Sequence, residues 1–380
     1  MIDRKLLKRI ESSKKSVLLI GPRQTGKSTL MKALKPDLAI NLINETEYLN
    51  FAANSNELEQ RLKATSPKTV FIDEIQRIPS LLNTIQSILD EWTQPPKFFM
   101  TGSSARKLKR GQANLLPGRI YNYSLGPLSS AELDYELSDN VISYGSLPGV
   151  YTEPDLSERE KLLQSYTGIY LKEEIQAEAL TKNLEGFARF LFVVSAEATR
   201  YLDLAKLAKQ AKVERHSAVR WFEILEDTLI AHRVEAFSKN TRTRLVQHPR
   251  FFFFDNGILN ALLKNYIPSV DRLGFLFENL FLSQLKACAY AADTEVEIFN
   301  FRTEHGAEID FIVELRGVTW AIECKASTEI ASVNQKPFKS FEAVHGPNFI
   351  PVIAYRGKIA KEIDGVRVLP WQTLLQTMGI

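Results

Sequence analysis

The sequence predicts an α/β protein of two to three domains. Three stretches predict this class: a strand, glycine loop and helix at 16–34, a helix–turn–helix at 201–237, and a helix followed by strands at 272–326. A chain of 380 residues is also longer than a typical single domain with one hydrophobic core. The consecutive regions that we expect are 1–140, 141–195, 196–255 and 256–380.

Composition is typical of a globular protein and excludes several classes. Hydrophobic residues make up 44% of the chain, and the net charge is only +3. Cys288 and Cys324 cannot form a disulfide framework, and the five histidines lack zinc-ligand spacing. Apolar runs such as 251–254 are too short to span a membrane, and the charged N-terminal residues lack the apolar core of a signal peptide. We therefore expect a cytoplasmic protein with no membrane partner.

The stretch SVLLIGPRQTGKSTLMKAL, at 16–34, contains a phosphate-binding loop pattern. Gly21, Gly26, Lys27 and Ser28 have the spacing G-x-x-x-x-G-K-S between an apolar strand and a helix. The glycines let backbone N–H groups surround phosphate oxygens, Lys27 can reach the β- and γ-phosphates, and the Ser28 hydroxyl can bind Mg²⁺. The other residues expected to contact ATP in this segment are Gln24, Thr25 and Thr29.

A second apolar strand, in KTVFIDEIQRIP at 68–79, ends in two carboxylates. After a phosphate-binding loop, such a strand delivers one carboxylate to Mg²⁺ and another to the attacking water. We assign Asp73 to the metal and to nucleotide binding, and Glu74 to the role of general base.

A third strand, KFFMTGSS at 97–104, ends in hydroxyl side chains. Ligands gather at the carboxyl ends of parallel strands, so Thr101, Ser103 and Ser104 can sense the γ-phosphate. Ordinary turn chemistry explains these residues equally well.

Arg119 follows a Pro-Gly turn and opens a predicted fifth strand within LLPGRIYNYSLGPLSSAEL, at 115–133. An arginine here can reach the γ-phosphate of its own chain or of a neighbour, and so act in catalysis. A solvated charge at a strand edge fits the sequence equally well. Arg106 is a weaker candidate for the same role.

The region 141–195 is predicted to be mostly helical. The segment SYGSLPGVYTEP, at 143–154, carries Gly and Pro residues that interrupt regular structure, so we expect a hinge loop there. The helical spacing at 162–179 shows no pattern that indicates chemistry.

A helix–turn–helix is predicted from DLAKLAKQ and RHSAVRWFEILEDTLI, and the following SKNTRTRLVQHPRFFFFD has the pattern of a hairpin with a basic tip. Helix, turn, helix and basic hairpin is the order of a winged-helix domain. From Arg200 to Arg250 there are eleven Lys or Arg and six Asp or Glu, a positive surplus that favours DNA phosphates. A module that only packs against protein remains the alternative. The predicted DNA contacts are His216, Ser217, Arg220, Lys239, Arg242 and Arg244.

A second polar set follows near the end of the chain. Glu278 lies inside an apolar helical pattern, where a carboxylate is costly without a metal or lysine. Asp310 lies in a predicted strand, and Glu323 and Lys325, two apart in the next strand, point to one face. The three carboxylates can hold Mg²⁺, or Mn²⁺, beside a scissile phosphate, with Lys325 stabilising the developing charge.

The order helix Glu, strand Asp and strand Glu-x-Lys is the PD-(D/E)xK layout of a restriction-endonuclease-like core. Glu308 shares a face with Asp310 and is a spare ligand. A surface hairpin with solvated charges is the alternative.

The chain resembles a family of prokaryotic AAA-type ATPases whose C-terminal part is a domain of unknown function. The resemblance implies an AAA-type P-loop NTPase domain, a winged-helix domain and a C-terminal restriction-endonuclease-like α/β domain. It also implies ATP and Mg²⁺ at Lys27, Ser28, Asp73 and Glu74. The stretches that carry it, over nearly the whole length, are GPRQTGKSTL, VFIDEIQRIP, MTGSSARKL, LPGRIYNYSLGPLSSAEL, FFFFDNGI, GFLFENLFLSQL, FRTEHGAEIDFIV and AIECKA.

The leading hypothesis is an ATP-hydrolysing enzyme that binds and processes DNA, with a nuclease-like C-terminal domain that acts on branched DNA. An AAA-type site is usually completed by a neighbour's arginine, so a homo-oligomer is expected. Two alternatives stay open: a nucleotide-dependent signalling or regulatory ATPase whose C-terminal domain binds a partner without cutting, and a DNA-binding regulator without nuclease activity.

Overall fold

The computed structural model describes residues 2–103, 117–177, 183–237 and 248–380, with the backbone alone at 169–177. The chain forms two compact units. The first comprises Met1–Gly126 together with Asp227–Leu229 and Tyr290–Asp293. The second comprises Pro127–Glu226, Ile230–Ala289 and Thr294–Ile380.

The first unit is built on a parallel sheet. In the described residues its strands have the order β2-β3-β4-β1-β5, and every neighbouring pair is parallel. The predicted parallel α/β architecture is therefore confirmed, and the carboxyl ends of β1, β3 and β4 meet at one edge. The strands are β1 (Ser16–Ile20), β2 (Leu38–Asn41), β3 (Thr69–Asp73), β4 (Lys97–Gly102) and β5 (Ile120–Ser124).

Helices cover both faces of this sheet, as parallel strands require. On one face Leu82 packs in a cluster with Ile72, and on the other Met31 packs in a cluster with Leu19. The helices are α1 (Leu6–Ser12), α2 (Lys27–Ala33), α3 (Glu45–Ala53), α4 (Glu57–Thr65) and α5 (Leu81–Glu91).

The remaining helices lie in the second unit, apart from Asp227 and 290–291, where two of them end in the first unit. They are α6 (Val141–Tyr144), α7 (Pro148–Tyr151), α8 (Leu156–Ala177), α9 (Leu184–Ala196), α10 (Leu204–Ala211), α11 (Arg215–Asp227), α12 (Asn256–Leu262), α13 (Val270–Ala291), α14 (Lys336–His345) and α15 (Trp371–Thr377). Within the described chain, every helix is too short or too polar to cross a membrane.

One mixed sheet organises the second unit, with the described strands in the order β12-β13-β11-β10-β9-β8-β6-β7. Strand β6 pairs with β7 in antiparallel and with β8 in parallel orientation, so the strands after the helix–turn–helix belong to the C-terminal sheet. The predicted boundary at 255/256 thus falls inside this unit. The strands are β6 (Ala231–Ala236), β7 (Arg250–Phe253), β8 (Glu297–Arg302), β9 (Glu308–Leu315), β10 (Val318–Lys325), β11 (Ile350–Tyr355), β12 (Lys361–Ile363) and β13 (Val366–Pro370).

The segment 143–154, predicted as a hinge loop, is instead fixed within the second unit. The Ser146 N–H donates to the Asp255 carboxylate at 2.7 Å, and the Ser146 hydroxyl accepts from Gln284 at 2.9 Å. Gly145 has φ 70°, and a Cβ there would lie 2.0 Å from the Asp255 carboxylate. The hinge prediction is wrong because a buried carboxylate fastens this segment to the start of α12.

Candidate functional site

The glycine loop lies between β1 and α2, at the carboxyl edge of the first sheet. A Cβ on Gly21 would lie 2.1 Å from the Leu125 carbonyl oxygen, so only glycine fits there. Gly26 and the exposed Gln24 both have positive φ, 92° and 60°. The backbone therefore makes the tight turn that a phosphate-binding loop requires.

Lys27 is buried at the start of α2. Its Nζ donates to the carbonyl oxygens of Gly21 and Pro22, at 2.8 Å each. The Thr25 hydroxyl also donates to Pro22, at 2.9 Å, whereas Thr29 is exposed. The lysine ammonium is thus held inside the loop that is predicted to receive phosphate.

The predicted Mg²⁺ ligands Ser28 and Asp73 contact each other. The Ser28 hydroxyl donates to Asp73 Oδ1 at 2.8 Å, across the gap between α2 and the end of β3. A hydroxyl and a carboxylate at this separation can both reach one hard cation, so this pair fits Mg²⁺. The Thr101 hydroxyl donates to the same Asp73 oxygen at 2.5 Å and accepts from the Glu74 N–H at 3.1 Å. Thr101 therefore supports the two acidic residues directly.

Glu74 follows β3 in a left-handed conformation, with φ 58°. Its Oε2 accepts hydrogen bonds from the Gln76 amide and, at 3.2 Å, from the Ser103 hydroxyl. The Gln76 amide also donates to Ser103 at 2.9 Å. Sequence analysis did not single out Gln76, because its contact with Ser103 depends on the pairing of β3 with β4.

The side-chain oxygen of Gln76, Oε1, is buried and has no hydrogen-bond donor among the described residues. A buried acceptor left without a donor costs about 1–3 kcal/mol.

Arg119 does not lie at the phosphate loop of its own chain. It precedes β5, and Ile120 pairs with Ser16 at the amino end of β1, whereas the loop follows the carboxyl end of that strand. A five-residue strand is about 16 Å long. The Arg119 guanidinium instead pairs with Asp90 at 2.5 Å. The prediction that it reaches its own γ-phosphate is therefore wrong, and contact with a neighbouring chain stays a prediction.

Other predicted residues lie outside the part of the chain that the structure describes. Ser104 and Arg106 fall within 104–116, and Lys239, Arg242 and Arg244 fall within 238–247. Their roles stay predictions.

In the second unit, the predicted carboxylates meet around an arginine that sequence analysis did not assign. Arg250, at the start of β7, has a side chain only 5% exposed. Its guanidinium donates to Glu278 on α13 and, at 3.2 Å, to Asp310 on β9. Its Nε donates to the Thr199 carbonyl at 2.7 Å. Glu278 and Asp310 are therefore brought together through a shared cation.

Glu323 and Lys325 lie beside this pair on β10. The Lys325 ammonium donates to Glu323 at 2.7 Å, and the Cys324 N–H between them donates to Asp310 at 2.8 Å. All four predicted residues thus belong to one cluster, which we call the acidic cluster: Glu278, Asp310, Glu323 and Lys325, with Arg250. Glu308, the predicted spare ligand, accepts a hydrogen bond from the Tyr201 hydroxyl at 3.0 Å.

Burial controls the charge of the acidic cluster. Burial, reinforced by the charge of Asp310, raises the pKa of Glu278 above its ordinary value, against the opposing pull of Arg250. Burial and then Asp310 also raise the pKa of Glu323. Carboxylates that repel one another in a poorly solvated place need a cation.

The arrangement does not fit a divalent ion as it stands. No three His, Cys, Asp or Glu side chains of the described residues are placed so that they could hold a metal ion. The Arg250 guanidinium supplies the positive charge shared by Glu278 and Asp310. Mg²⁺ or Mn²⁺ at this cluster therefore stays a prediction from sequence.

The predicted DNA-binding helices are present as α10 and α11. Asp203 caps α10 by accepting from the N–H groups of Ala205 and Lys206, at 3.0 and 2.9 Å. On α11, His216 and Arg220 are exposed and Ser217 is partly exposed. An open groove there is lined by Glu214, Arg215, His216, Val219, Arg220 and Glu223.

The charges in this groove balance, because Arg215 and Arg220 stand beside Glu214 and Glu223. The positive surplus of the region therefore comes from α10 and from the basic segment 238–247, beyond the described residues. The α11 groove alone carries little electrostatic attraction for phosphates.

Comparison with protein families assigns three consecutive segments. Residues 13–134 match the family model described as AAA domain, so the first unit contains an AAA-type P-loop domain, as predicted. Residues 135–266 match a domain of unknown function, DUF8612, and residues 273–374 match another, DUF4143.

Among curated proteins, the chain is 24% identical over 321 residues to the uncharacterized protein Rv2008c of Mycobacterium tuberculosis, covering 82% of this chain and 70% of that one. It is 24% identical over 193 residues to the ATP-dependent zinc metalloprotease YME1L of Drosophila melanogaster, covering 46% of this chain and 23% of that one.

Among solved structures, the replication initiator DnaA bound to AMPPCP and single-stranded DNA matches with a TM-score of 0.27 and 12% identity. The match covers 58% of this chain and 85% of that one. This score is too low to carry an argument about the fold.

Proposed function

We propose that the protein hydrolyses ATP at the carboxyl edge of the parallel sheet in its first unit. The observation that carries this proposal is the contact of Ser28 with Asp73 at 2.8 Å, beside a loop that holds a buried lysine. The hydroxyl and the carboxylate are the ligands expected for the Mg²⁺ that accompanies ATP. When bound, Mg²⁺ would neutralise charge on the β- and γ-phosphates.

The side chains of this site have separate tasks in the proposed reaction. Lys27 exchanges its carbonyl contacts for the phosphates, where its positive charge stabilises the leaving group. Glu74 accepts a proton from the water that attacks the γ-phosphorus. Thr101 holds the Asp73 carboxylate and the Glu74 backbone in place through its two hydrogen bonds.

Phosphate release from Mg²⁺-ATP by the full chain tests this proposal. Lys27→Ala should abolish binding or turnover, because the loop loses its phosphate-contacting cation. The matched control Lys32→Ala removes an exposed lysine from the same helix and should leave turnover unchanged. Equal turnover in the Lys27→Ala and Lys32→Ala variants would refute the site.

DNA is the partner that we propose for the second unit. Support comes from the exposed residues of α11 and from the basic surplus between Arg200 and Arg250. Because the charges of the α11 groove balance, we propose that phosphates are contacted mainly by α10 and by 238–247. Binding of duplex, single-stranded and four-way-junction DNA by the full chain tests this partner.

A metal-dependent nuclease that acts on branched DNA is the second candidate function. It is favoured by the convergence of Glu278, Asp310, Glu323 and Lys325 in one cluster. Cleavage of a four-way junction in Mg²⁺ or Mn²⁺, lost in Asp310→Ala and kept in the exposed control Asp271→Ala, would support it.

The rival candidate is a regulatory ATPase whose second unit binds a partner without cutting. The ion pairs of Arg250 and Lys325 favour it, because they satisfy the carboxylates without a metal. ATP turnover and DNA binding without cleavage would indicate a regulator, and ATP turnover without DNA binding a signalling switch.

We further propose a homo-oligomer in which Arg119 reaches the ATP of a neighbouring chain. Arg119 is partly exposed, and its partner Asp90 is equally accessible, so the pair can be exchanged at modest cost. The rate of ATP turnover per chain should rise with protein concentration. Loss of this dependence in Arg119→Ala would support the proposal.

A further inference from the structure

Glu74, Gln76 and Ser103 form a closed set of contacts beside the proposed Mg²⁺ ligands. The Gln76 amide donates both to Glu74 Oε2 and to the Ser103 hydroxyl, and that hydroxyl donates to the same Glu74 oxygen. Gln76 is 7% exposed and Ser103 is 3% exposed. The orientation of the carboxylate is therefore set by two buried side chains.

We propose that Gln76 is a positioning residue for ATP hydrolysis, whose amide holds the Glu74 carboxylate in the orientation in which it accepts a proton from the attacking water. This inference rests on the ATPase function proposed above. It assigns a task to a residue that neither the phosphate-loop pattern nor the Asp-Glu pair identifies.

The orientation of the Gln76 amide follows from its partners. Its nitrogen faces a carboxylate oxygen and a hydroxyl, and a flipped amide would place its carbonyl oxygen against that carboxylate. The N–H groups therefore point to Glu74 and Ser103, which leaves the carbonyl oxygen on the other side.

One oxygen of the Glu74 carboxylate remains available for a water molecule. Glu74 Oε2 already accepts from two donors, whereas Glu74 Oε1 has no hydrogen bond within the described residues. Gln76 Oε1 also lacks a donor there, but it is too deeply buried for a water molecule to reach. A water molecule can donate one of its O–H groups to Glu74 Oε1, the oxygen that would accept its proton.

The reaction then balances without any further group. The water oxygen forms a bond to the γ-phosphorus, and the bond from that phosphorus to the bridging oxygen breaks. One proton of the water passes to Glu74 Oε1, and the electron pair of the broken bond leaves with ADP.

The test compares steady-state ATP turnover and binding of a fluorescent ATP analogue in three variants. Gln76→Leu keeps a similar volume and removes both hydrogen-bonding atoms. It should lower kcat about tenfold to a hundredfold with KM within about twofold, since general-base catalysis contributes about 10²–10⁴-fold. Ser103→Ala removes one donor and should lower kcat less. The control Gln60→Leu changes an exposed glutamine on α4 and should change neither constant.

A double variant separates positioning from a merely structural role. If Gln76 acts through Glu74, the kcat of Glu74→Gln with Gln76→Leu should equal that of Glu74→Gln alone. Multiplied losses, or a kcat in Gln76→Leu within about twofold of the unchanged protein, would overturn the inference. An unchanged protein that shows no ATP turnover would instead overturn the proposed function on which the inference rests.

Discussion

Arg250 is the residue on which the buried charges of the second unit depend. Its guanidinium contacts Glu278 and Asp310, and its side chain is almost completely buried. Two carboxylates at this depth would repel each other without a shared cation, and burial together with the charge of Asp310 already raises the pKa of Glu278.

Replacing Arg250 by Met should therefore destabilise the protein by about 3–5 kcal/mol, the usual cost of breaking a buried ion pair. Lys325→Met is the matched control, because that lysine is half exposed and its pair with Glu323 contributes about 1 kcal/mol or less. Urea unfolding of the full chain measures both. Similar losses of unfolding free energy in the two variants would show that Arg250 contributes no more to stability than Lys325 does.

Some site residues could be predicted from local sequence and others could not. Lys27, Ser28 and Asp73 follow from a strand–loop–helix and one apolar strand, because parallel pairing places their ends side by side. Arg250 lies 28 residues from Glu278 and 60 from Asp310, so its role depends on how distant strands pair. Gln76 depends on Ser103 in the same way.

At the scale of elements, the start of α12 shows how a buried carboxylate fastens two segments. Asp255 accepts from the N–H groups of Gly257 and Ile258 at the start of the helix, and from Ser146 in the segment between α6 and α7. The stretch FFFFDNGI is thus explained by structure, as a helix cap between packed segments.

Asp255 also predicts a pH dependence of stability. Burial raises its pKa from 3.8 to about 6, against the opposing effect of the backbone hydrogen bonds. The native state then binds this proton more tightly than the unfolded chain. The resulting stabilisation is complete below about pH 4 and is lost as the pH rises through about 6.

The stabilisation that is lost amounts to about 3 kcal/mol, because the pKa differs by about two units and each unit corresponds to about 1.36 kcal/mol. Asp255→Asn cannot titrate, so the unfolding free energy of the unchanged protein relative to this variant should fall by about that amount between pH 4 and pH 7. Urea unfolding across this range measures the difference. A constant difference would contradict the assignment.

The basic segment after β6 predicts a salt dependence of DNA binding. If Arg242 and Arg244 contact phosphates, replacing both by Ala should reduce the slope of log affinity against log salt by about two. The control Arg189→Ala, whose guanidinium pairs with Glu185 on α9, should leave the slope unchanged. If the affinity of the unchanged protein for DNA does not depend on salt, this region does not contact phosphates.

Helices and strands were more predictable here than their grouping. The predicted helices at 203–210 and 215–230 correspond to α10 and α11, because apolar spacing reports the buried face of a helix directly. The pairing of β6 with β8, which joins the helix–turn–helix region to the C-terminal sheet, leaves no signal in local sequence.

At the scale of the whole molecule, the first unit has features that support a specific reaction, whereas the second unit supports several functions. The first unit combines an AAA domain match with a hydroxyl, a carboxylate and a buried lysine at one sheet edge. The second unit matches domains of unknown function and holds an acidic cluster neutralised by Arg250 and Lys325. The central claim is therefore that the first unit hydrolyses ATP through Glu74.

Measuring ATP binding and ATP turnover together in Glu74→Gln tests that claim most directly. The variant should bind Mg²⁺-ATP within about twofold of the unchanged protein and lose at least about a hundredfold in kcat, because the phosphate contacts remain while the general base is gone. A Glu74→Gln protein that turns over ATP at the unchanged rate would contradict the account.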